Sequence, residues 1–295
     1  MVKKAGKKSL NMSARMIEFL LEPFAYSYMV KAICVCALVG ATCAFLSTYL
    51  ILKGWSLMGD ALSHAVVPGV ALAYLLALPY AVGAFFAGLL AALSIVVIKQ
   101  KTKLREDAVI GLIFTSFFAF GLLLVSINPT AVNIQAIILG NILAISDTDM
   151  LQVLIISLIC LGVLIAKWRD FLAVFFDESH AYTVGLRADI LKILFFIILS
   201  AACVAALQTV GACLVIAMVI TPGATAYLLS NKFKNLIFIA VAMGSFTGGF
   251  GAYCSYFLDA NPGGLIVIFQ TVIFISVFVF APRYGLLKRR SSVHG

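Results

Sequence analysis

Gly54-Trp55-Ser56-Leu57-Met58-Gly59-Asp60-Ala61-Leu62-Ser63-His64-Ala65-Val66-Val67-Pro68-Gly69 is the stretch that decides how this chain is read. It lies inside a long apolar region. Between Lys53 and Lys99 the only Asp, Glu, His, Lys or Arg residues are Asp60 and His64. They are four positions apart, so on a helix they share one face. A charged side chain at the centre of a bilayer costs about 2.5–3.5 kcal/mol even on the mildest insertion scale. Two ionisable groups at helical spacing, alone in such a segment, therefore point to a function.

The composition around them is that of a membrane protein. The 295 residues are 63% hydrophobic and 11% charged, where a soluble domain carries about 25% charge. Mean hydropathy is +1.13. The first residues are basic, but the apolar run behind them continues into a full-length span, so no cleavable signal peptide is expected. The net charge of +9 does not suggest nucleic acid. Lys and Arg cluster in short segments at 3–15, 99–105, 167–169, 187–192, 232–234 and 283–290, the pattern of cytoplasmic loops. No soluble stretch is long enough to build a basic face for nucleic acid. The seven cysteines all fall in apolar segments and read as small buried hydrophobes, with no disulfide framework.

Apolar spans are expected at roughly 27–52, 57–78, 80–98, 108–127, 150–166, 190–207, 209–229, 235–257 and 264–281, each near the ~20 residues a crossing needs. The fold class that follows is an all-α polytopic membrane protein, a bundle of about nine transmembrane helices. Residues 1–25 form a basic, then amphipathic arm, residues 26–283 the transmembrane domain, and residues 284–295 a basic cytoplasmic tail. The apolar but short stretch 128–149 reads as a partial or surface helix on the outer side. Parity raises a conflict. Three spans before Lys99 place the N-terminus outside, whereas the basic arm at 3–15 argues for inside. A broken, partly re-entrant element over 54–66 would reconcile the two. Nine crossings with the N-terminus outside is the reading adopted. Small residues recur at four-residue spacing, among them Gly40/Ala44, Gly69/Ala73, Gly83/Ala87 and Gly244/Gly248, which lets helices approach closely in lipid.

Three constellations could carry chemistry. A carboxylate and an imidazole on one helix face suit manganese, iron or zinc. Two ligands are too few for a closed structural site but suit transient coordination along a pathway. Pro68 leaves the carbonyl of His64 without an intrahelical partner, and a bend is expected there. The same pair could instead pin two helices together or relay protons. The second constellation is the polar island Phe175-Phe176-Asp177-Glu178-Ser179-His180-Ala181-Tyr182-Thr183-Val184-Gly185-Leu186, within a loop at about 170–188. It reads as a short helix opened by Asp177 and Glu178 and stopped at Gly185. It either docks a soluble partner or simply lies on the membrane. The third is Thr221-Pro222-Gly223-Ala224-Thr225, where Pro222 breaks a helix and Thr221 and Thr225 share a face. That break either lines a pathway or serves packing. Asp147 and Asp149 read as solvated residues of the outer layer. There is no GxxxxGK[ST] loop and no HExxH, so nothing here points to ATP hydrolysis by a P-loop or to an intramembrane metalloprotease.

These residues resemble a known family. The run from Ser56 to Leu72 closely resembles the signature of the membrane permeases of bacterial manganese/iron/zinc ABC importers. The likeness continues through Leu139-Gly140-Asn141-Ile142-Leu143 with Asp147-Thr148-Asp149, the Phe176-Asp177-Glu178 to Gly185-Leu186 loop, and Val210-Gly211 to Ala226. It covers about Pro23 to Leu287, and residues 1–15 are an extension beyond it. The resemblance implies a type II ABC importer-like fold in the bacterial inner membrane, with the C-terminus cytoplasmic. It implies a second copy of the permease, cytoplasmic ATP-binding subunits and an extracytoplasmic metal-binding solute-binding protein as partners, and no nucleic acid. It makes Asp60 and His64 the metal-coordinating pair. Ser56, Pro68, Asn141, Thr221, Pro222 and Thr225 are expected to line the pathway, and Phe176, Asp177, Glu178, Ala181, Gly185 and Leu186 to form the ATPase-coupling loop. The chain itself is then no enzyme and holds no permanent cofactor, the divalent metal being cargo. The alternative is a proton-coupled secondary metal carrier acting without an ATPase. A non-transporting scaffold fits poorly with two buried ionisable groups.

Overall fold

In hydrocarbon a chain must satisfy its backbone hydrogen bonds internally, so runs of about 20 apolar residues cross as helices. The computed structural model describes residues 18–55, 57–127 and 146–281, and all secondary structure among them is helical. Ser56, Asn141, most of the expected partial helix at 128–149 and the basic segments at the two ends of the chain lie outside these residues. A helical segment at 18–25 leads into α1 (Ser27–Lys53). There follow α2 (Met58–Leu75), α3 (Tyr80–Lys101), α4 (Glu106–Ile127), α5 (Asp147–Phe176), α6 (Glu178–Thr183), α7 (Ala188–Val210), α8 (Ala212–Leu229), α9 (Phe233–Leu258) and α10 (Pro262–Phe280). Eight of these are long and apolar enough to cross a membrane, and α8 adds a shorter apolar helix over Val215–Leu229. Each expected span thus has its helix.

α1 is the axis of the bundle. From Val39 to Leu50 every residue is buried, the mark of a helix surrounded on all sides. α9, α8, α5 and α7 lie against it. The small-residue stripes face one another. A Cβ on Gly40 would collide with the carbonyl of Gly244, and a Cβ on Gly69 with the carbonyl of Gly83. These contacts seat α1 on α9 and α2 on α3 at backbone distance. Gly83 and Ala87 receive Gly69, and Ala44 receives Gly244.

The basic ends of the helices gather on one face. Lys53, Lys99 and Lys192 line one cavity, and Arg169, His180 and Asn231 line another beside Leu52. On the opposite face Lys31, near the start of α1, bridges to Asp147 at the start of α5 at 2.7 Å. Lys53 and Lys99 therefore share a side, and α1, α2 and α3 all cross between the faces. The start of α1 lies opposite the basic face, as the odd number of spans requires.

The re-entrant alternative is answered in a graded way. Gly54 takes a left-handed conformation (φ 72°), and the Trp55 N–H donates to the Leu50 carbonyl at 2.8 Å. α2 begins only at Met58. The Gly69–Gly83 register sets Met58 level with Ser94, five residues short of Lys99 and so about 7 Å inside the basic face. The chain climbs part of the way as non-helical backbone, and α2 then completes the crossing without interruption through Pro68. Non-helical backbone at that depth is tolerated because protein lines it: Trp55 stacks on Phe196 at 5.6 Å and meets Phe175 edge-on at 5.7 Å.

One boundary is corrected. The expected span 150–166, followed by a loop from about 170, is a single 30-residue helix reaching Phe176. The extension is held by aromatic packing at the basic end of the bundle. Phe171 and Phe175 are buried with Tyr49 and Phe195; Phe175 and Phe195 meet at 4.6 Å. The Tyr49 hydroxyl donates to the Trp168 carbonyl at 2.9 Å. Lys167 and Arg169 thus sit on a helix, not in a loop.

Candidate functional site

α2 positions the central pair. The register with α3 sets His64 level with Gly88 and Asp60 level with Ala92, near the middle of α3 and hence of the bundle. His64 Nε2 stands 3.3 Å from Asp60 Oδ1. The pair sits on an open side of the chain rather than in its core. The His64 side chain is 24% exposed and that of Asp60 34%, while Met58, Ala61, Leu62, Ala65 and Val66 around them are buried. On α4, Phe114 and Phe118 present their rings to the imidazole edge-on at 5.1 and 5.3 Å. Further along, Gly121 of α4 fits against Pro68 and Val67; a Cβ there would lie 2.9 Å from the proline ring. Pro68 is buried at this contact. Phe114 and Phe118 were not singled out from the sequence. Their four-residue spacing on a span otherwise rich in apolar residues is the signal, and it is too common to stand out.

Asp60 and His64 offer one carboxylate and one imidazole to a cation. Among the described residues no group of three or more His, Cys, Asp or Glu side chains is placed to hold a metal. The described residues of one chain therefore present two such side-chain donors on an accessible face.

The break expected at Pro222 is absent: α8 runs as one helix from Ala212 to Leu229 with Pro222 inside it, and its Pro222 turn sits against α1. Ser47 of α1 bridges it: its Oγ donates to the Ile220 carbonyl at 3.0 Å and accepts from the Gly223 N–H at 2.9 Å. Thr225 Oγ1 donates to the Thr221 carbonyl at 2.8 Å. Hydroxyls thus add hydrogen bonds to the backbone on both sides of Pro222. Pro222 and Thr225 are buried and Thr221 is half-buried, with no hydrogen bond joining them to Asp60 or His64. One turn earlier, Val219 lies beneath Gly59, 3.3 Å from where its Cβ would be. The Pro222 region of α8 and the start of α2 therefore adjoin.

The polar island forms α6 on the basic face. Asp177 caps it, Oδ1 accepting from the His180 N–H at 3.0 Å. At the other end the Leu186 N–H bonds to the Ala181 carbonyl and the Gly185 N–H to the Tyr182 carbonyl, both at 3.0 Å, with Gly185 at φ 83°. This is a Schellman stop, and its left-handed residue favours glycine. α6 is tied down by the Lys192–Glu178 ion pair, by the Tyr182 hydroxyl on Asp189 at 2.8 Å, and by the buried Ala181. The hydrogen bond to Asp189, then slight burial and the neighbouring carboxylates, raise the Tyr182 hydroxyl above its usual pKa. Phe176 (78% exposed), Tyr182 and Val184 project from this anchored helix and its flanks; Leu186 is half-buried beside them. Exposed apolar side chains on a rigid, short helix make a knob suited to a groove on another protein. Lys192 and Asp189, which hold α6, are not marked in the sequence because each meets its partner across the turn between α6 and α7.

Comparison with known proteins agrees with this arrangement. The family model of the ABC 3 transport family matches residues 25–281. The chelated iron transport system membrane protein YfeC of Yersinia pestis is 64% identical over 275 residues, 93% of this chain and 94% of that protein. The manganese transport system membrane protein MntB of Synechocystis is 46% identical over 271 residues, 92% of this chain and 89% of that protein. Among solved structures, a chain of PsaBC from Streptococcus pneumoniae, in complex with Fab, is 34% identical with a TM-score of 0.81, covering 93% of this chain and 99% of that one.

Proposed function

The chain belongs to the ABC 3 transport family, and from that premise we propose that it is the membrane-spanning permease of an ATP-driven importer for a divalent transition metal, iron or manganese, in a bacterial inner membrane. The observation that carries this reading is the Asp60–His64 pair, 3.3 Å apart, half-exposed and level with the middle of the bundle. The basic face is then cytoplasmic. α6 is the coupling element, seated on a cytoplasmic ATP-binding subunit through Phe176, Tyr182 and Val184. The opposite face receives metal from an extracytoplasmic binding protein. A second copy of the permease supplies the missing ligands: two facing chains bring two carboxylates and two imidazoles, a set able to replace hydration yet open enough to release. Thr221, Pro222 and Thr225 form the joint at which α8 moves relative to α1 and α2 as access alternates. Metal selectivity rests with this mixed oxygen and nitrogen donor set, which accepts manganese, iron and zinc.

The deciding measurement is uptake by cells carrying the full transporter, with manganese, iron and zinc in competition, for wild type and Asp60→Ala. Loss of iron or manganese uptake with the complex still assembled is expected; normal uptake by Asp60→Ala and His64→Ala sinks the coordination role. Transport by the isolated chain in liposomes under a pH gradient, without ATP-binding subunits, would instead establish a proton-coupled carrier.

A further inference from the structure

The cavity of about 230 Å³ at the basic end of α3 has a lining unlike a metal pathway. Lys53, Lys99 and Lys192 reach it from the ends of three different helices; Lys99 also donates to the Leu104 carbonyl at 3.4 Å, and among the described residues of the lining the one carboxylate is Glu178, which Lys192 engages. Lys192 is well shielded, its side chain 17% exposed. The rest of the lining is largely apolar, including Trp55 and, on α3 and α4, Val96 and Val109. Next to these last two, Val97 and Leu112 are exposed on the outer surface of the bundle. Ammonium groups at the level of the membrane face therefore stand over an apolar floor that continues onto the lipid-facing surface of α3 and α4. Free phosphate or a soluble anion would gain nothing from that floor. An amphipathic anion uses both parts.

We propose that this cavity holds the phosphate of an anionic phospholipid from the leaflet on the basic face, with the ammonium groups of Lys53 and Lys99 on the headgroup and the acyl chains laid along α3 and α4. Basic pockets between transmembrane helices on this side of a membrane suit such headgroups. The headgroup also lies beside the Lys192–Glu178 pair, and a phosphate drawing on Lys192 loosens the tie that holds α6. That consequence rests on the coupling role of α6; binding itself does not.

The test reads binding directly. The chain has two tryptophans, Trp55 and Trp168, so the full chain carrying Trp168→Phe reports on the cavity through Trp55 fluorescence. In neutral detergent it is titrated with short-chain phosphatidylglycerol, short-chain phosphatidylcholine and inorganic phosphate. A saturable change with phosphatidylglycerol, at concentrations roughly tenfold below those phosphatidylcholine requires, is expected. Lys53→Gln combined with Lys99→Gln weakens it by roughly tenfold or more, and Lys53→Arg retains it. Should the double variant not fold, Lys53→Gln set against Lys53→Arg decides the matter alone. Equal response to the two lipids, displacement of the lipid by millimolar phosphate, or unchanged affinity on removal of the lysine charge overturns the proposal.

Discussion

Asp60 and His64 illustrate what single residues can do on an otherwise apolar membrane-spanning helix. The imidazole is fixed by two phenylalanine rings on α4, and the carboxylate stands within 3.3 Å of it. Asp60→Asn keeps the shape and an oxygen donor but removes the charge, so uptake falls by roughly tenfold or more while the chain stays folded, since an amide is a weaker ligand than a carboxylate for these metals. Radiometal uptake and thermal unfolding of the same preparation check the two halves of that statement. Ser47 acts instead through structure. It answers both a donor and an acceptor beside Pro222 in α8, and Ser47→Ala removes both hydrogen bonds. A cost of about 1–3 kcal/mol is expected, read as a lower unfolding temperature in detergent, with metal specificity unchanged.

At the scale of elements, α6 depends on its ends. Six residues cannot hold a helix by propensity alone; the Asp177 cap, the stop at Gly185 and the ties to Lys192 and Asp189 hold it. Gly185→Val forces a branched side chain into φ 83°, at a cost of about 1–2 kcal/mol. Space is not the obstacle, because no atom lies within 4 Å of a Cβ there. On the coupling role proposed for α6, the frayed helix should bind an ATP-binding subunit less well, measured as loss of co-purification. Tyr182 carries a pH signature. Its hydroxyl is raised by Asp189, so the bond to Asp189 is present at neutral pH and lost only as pH rises through a value above the ordinary tyrosine range. The difference in phenolate absorbance between wild type and Tyr182→Phe should therefore titrate above pH ~10. A titration at or below that pH contradicts the tie. The α2–α3 hairpin has the opposite dependence: it needs absence of side chains, and Gly83→Val separates two backbones that touch.

For the whole molecule the consequence is topological. Lys53 lies with Lys99 and Lys192 on the basic face, and the α2–α3 turn, with Leu78 exposed, lies on the other. An impermeant thiol reagent applied to intact spheroplasts should label Leu78→Cys, and should label Lys53→Cys only after permeabilisation. Labelling of residue 53 from outside would reverse the three-crossing arrangement. Much of this architecture was legible in the chain. Uninterrupted apolar runs located the spans, and charge anomaly alone isolated Asp60 and His64. The extent of α5 was not legible. Lys167, Trp168 and Arg169 read as the start of a loop, yet Phe171, Phe175 and the Tyr49 hydroxyl carry the helix on to Phe176. That support comes from Tyr49 of α1 and Phe195 of α7, twenty or more residues away in sequence, and no local pattern records it.

By itself the sequence determined what must be buried in lipid, where helices must form, and which two residues are too costly to be there without a purpose. Those are local consequences of transfer free energy and backbone hydrogen bonding. Tertiary structure decided the rest. It set Asp60 and His64 on an open face at mid-bundle, and it joined Ser47 to the backbone around Pro222 in α8. It also brought three distant lysines to one cavity beside α6. Each of these depends on which helix faces which and at what register, and close glycine contacts fix that both between neighbouring spans (Gly69–Gly83) and between spans far apart in the chain (Gly40–Gly244).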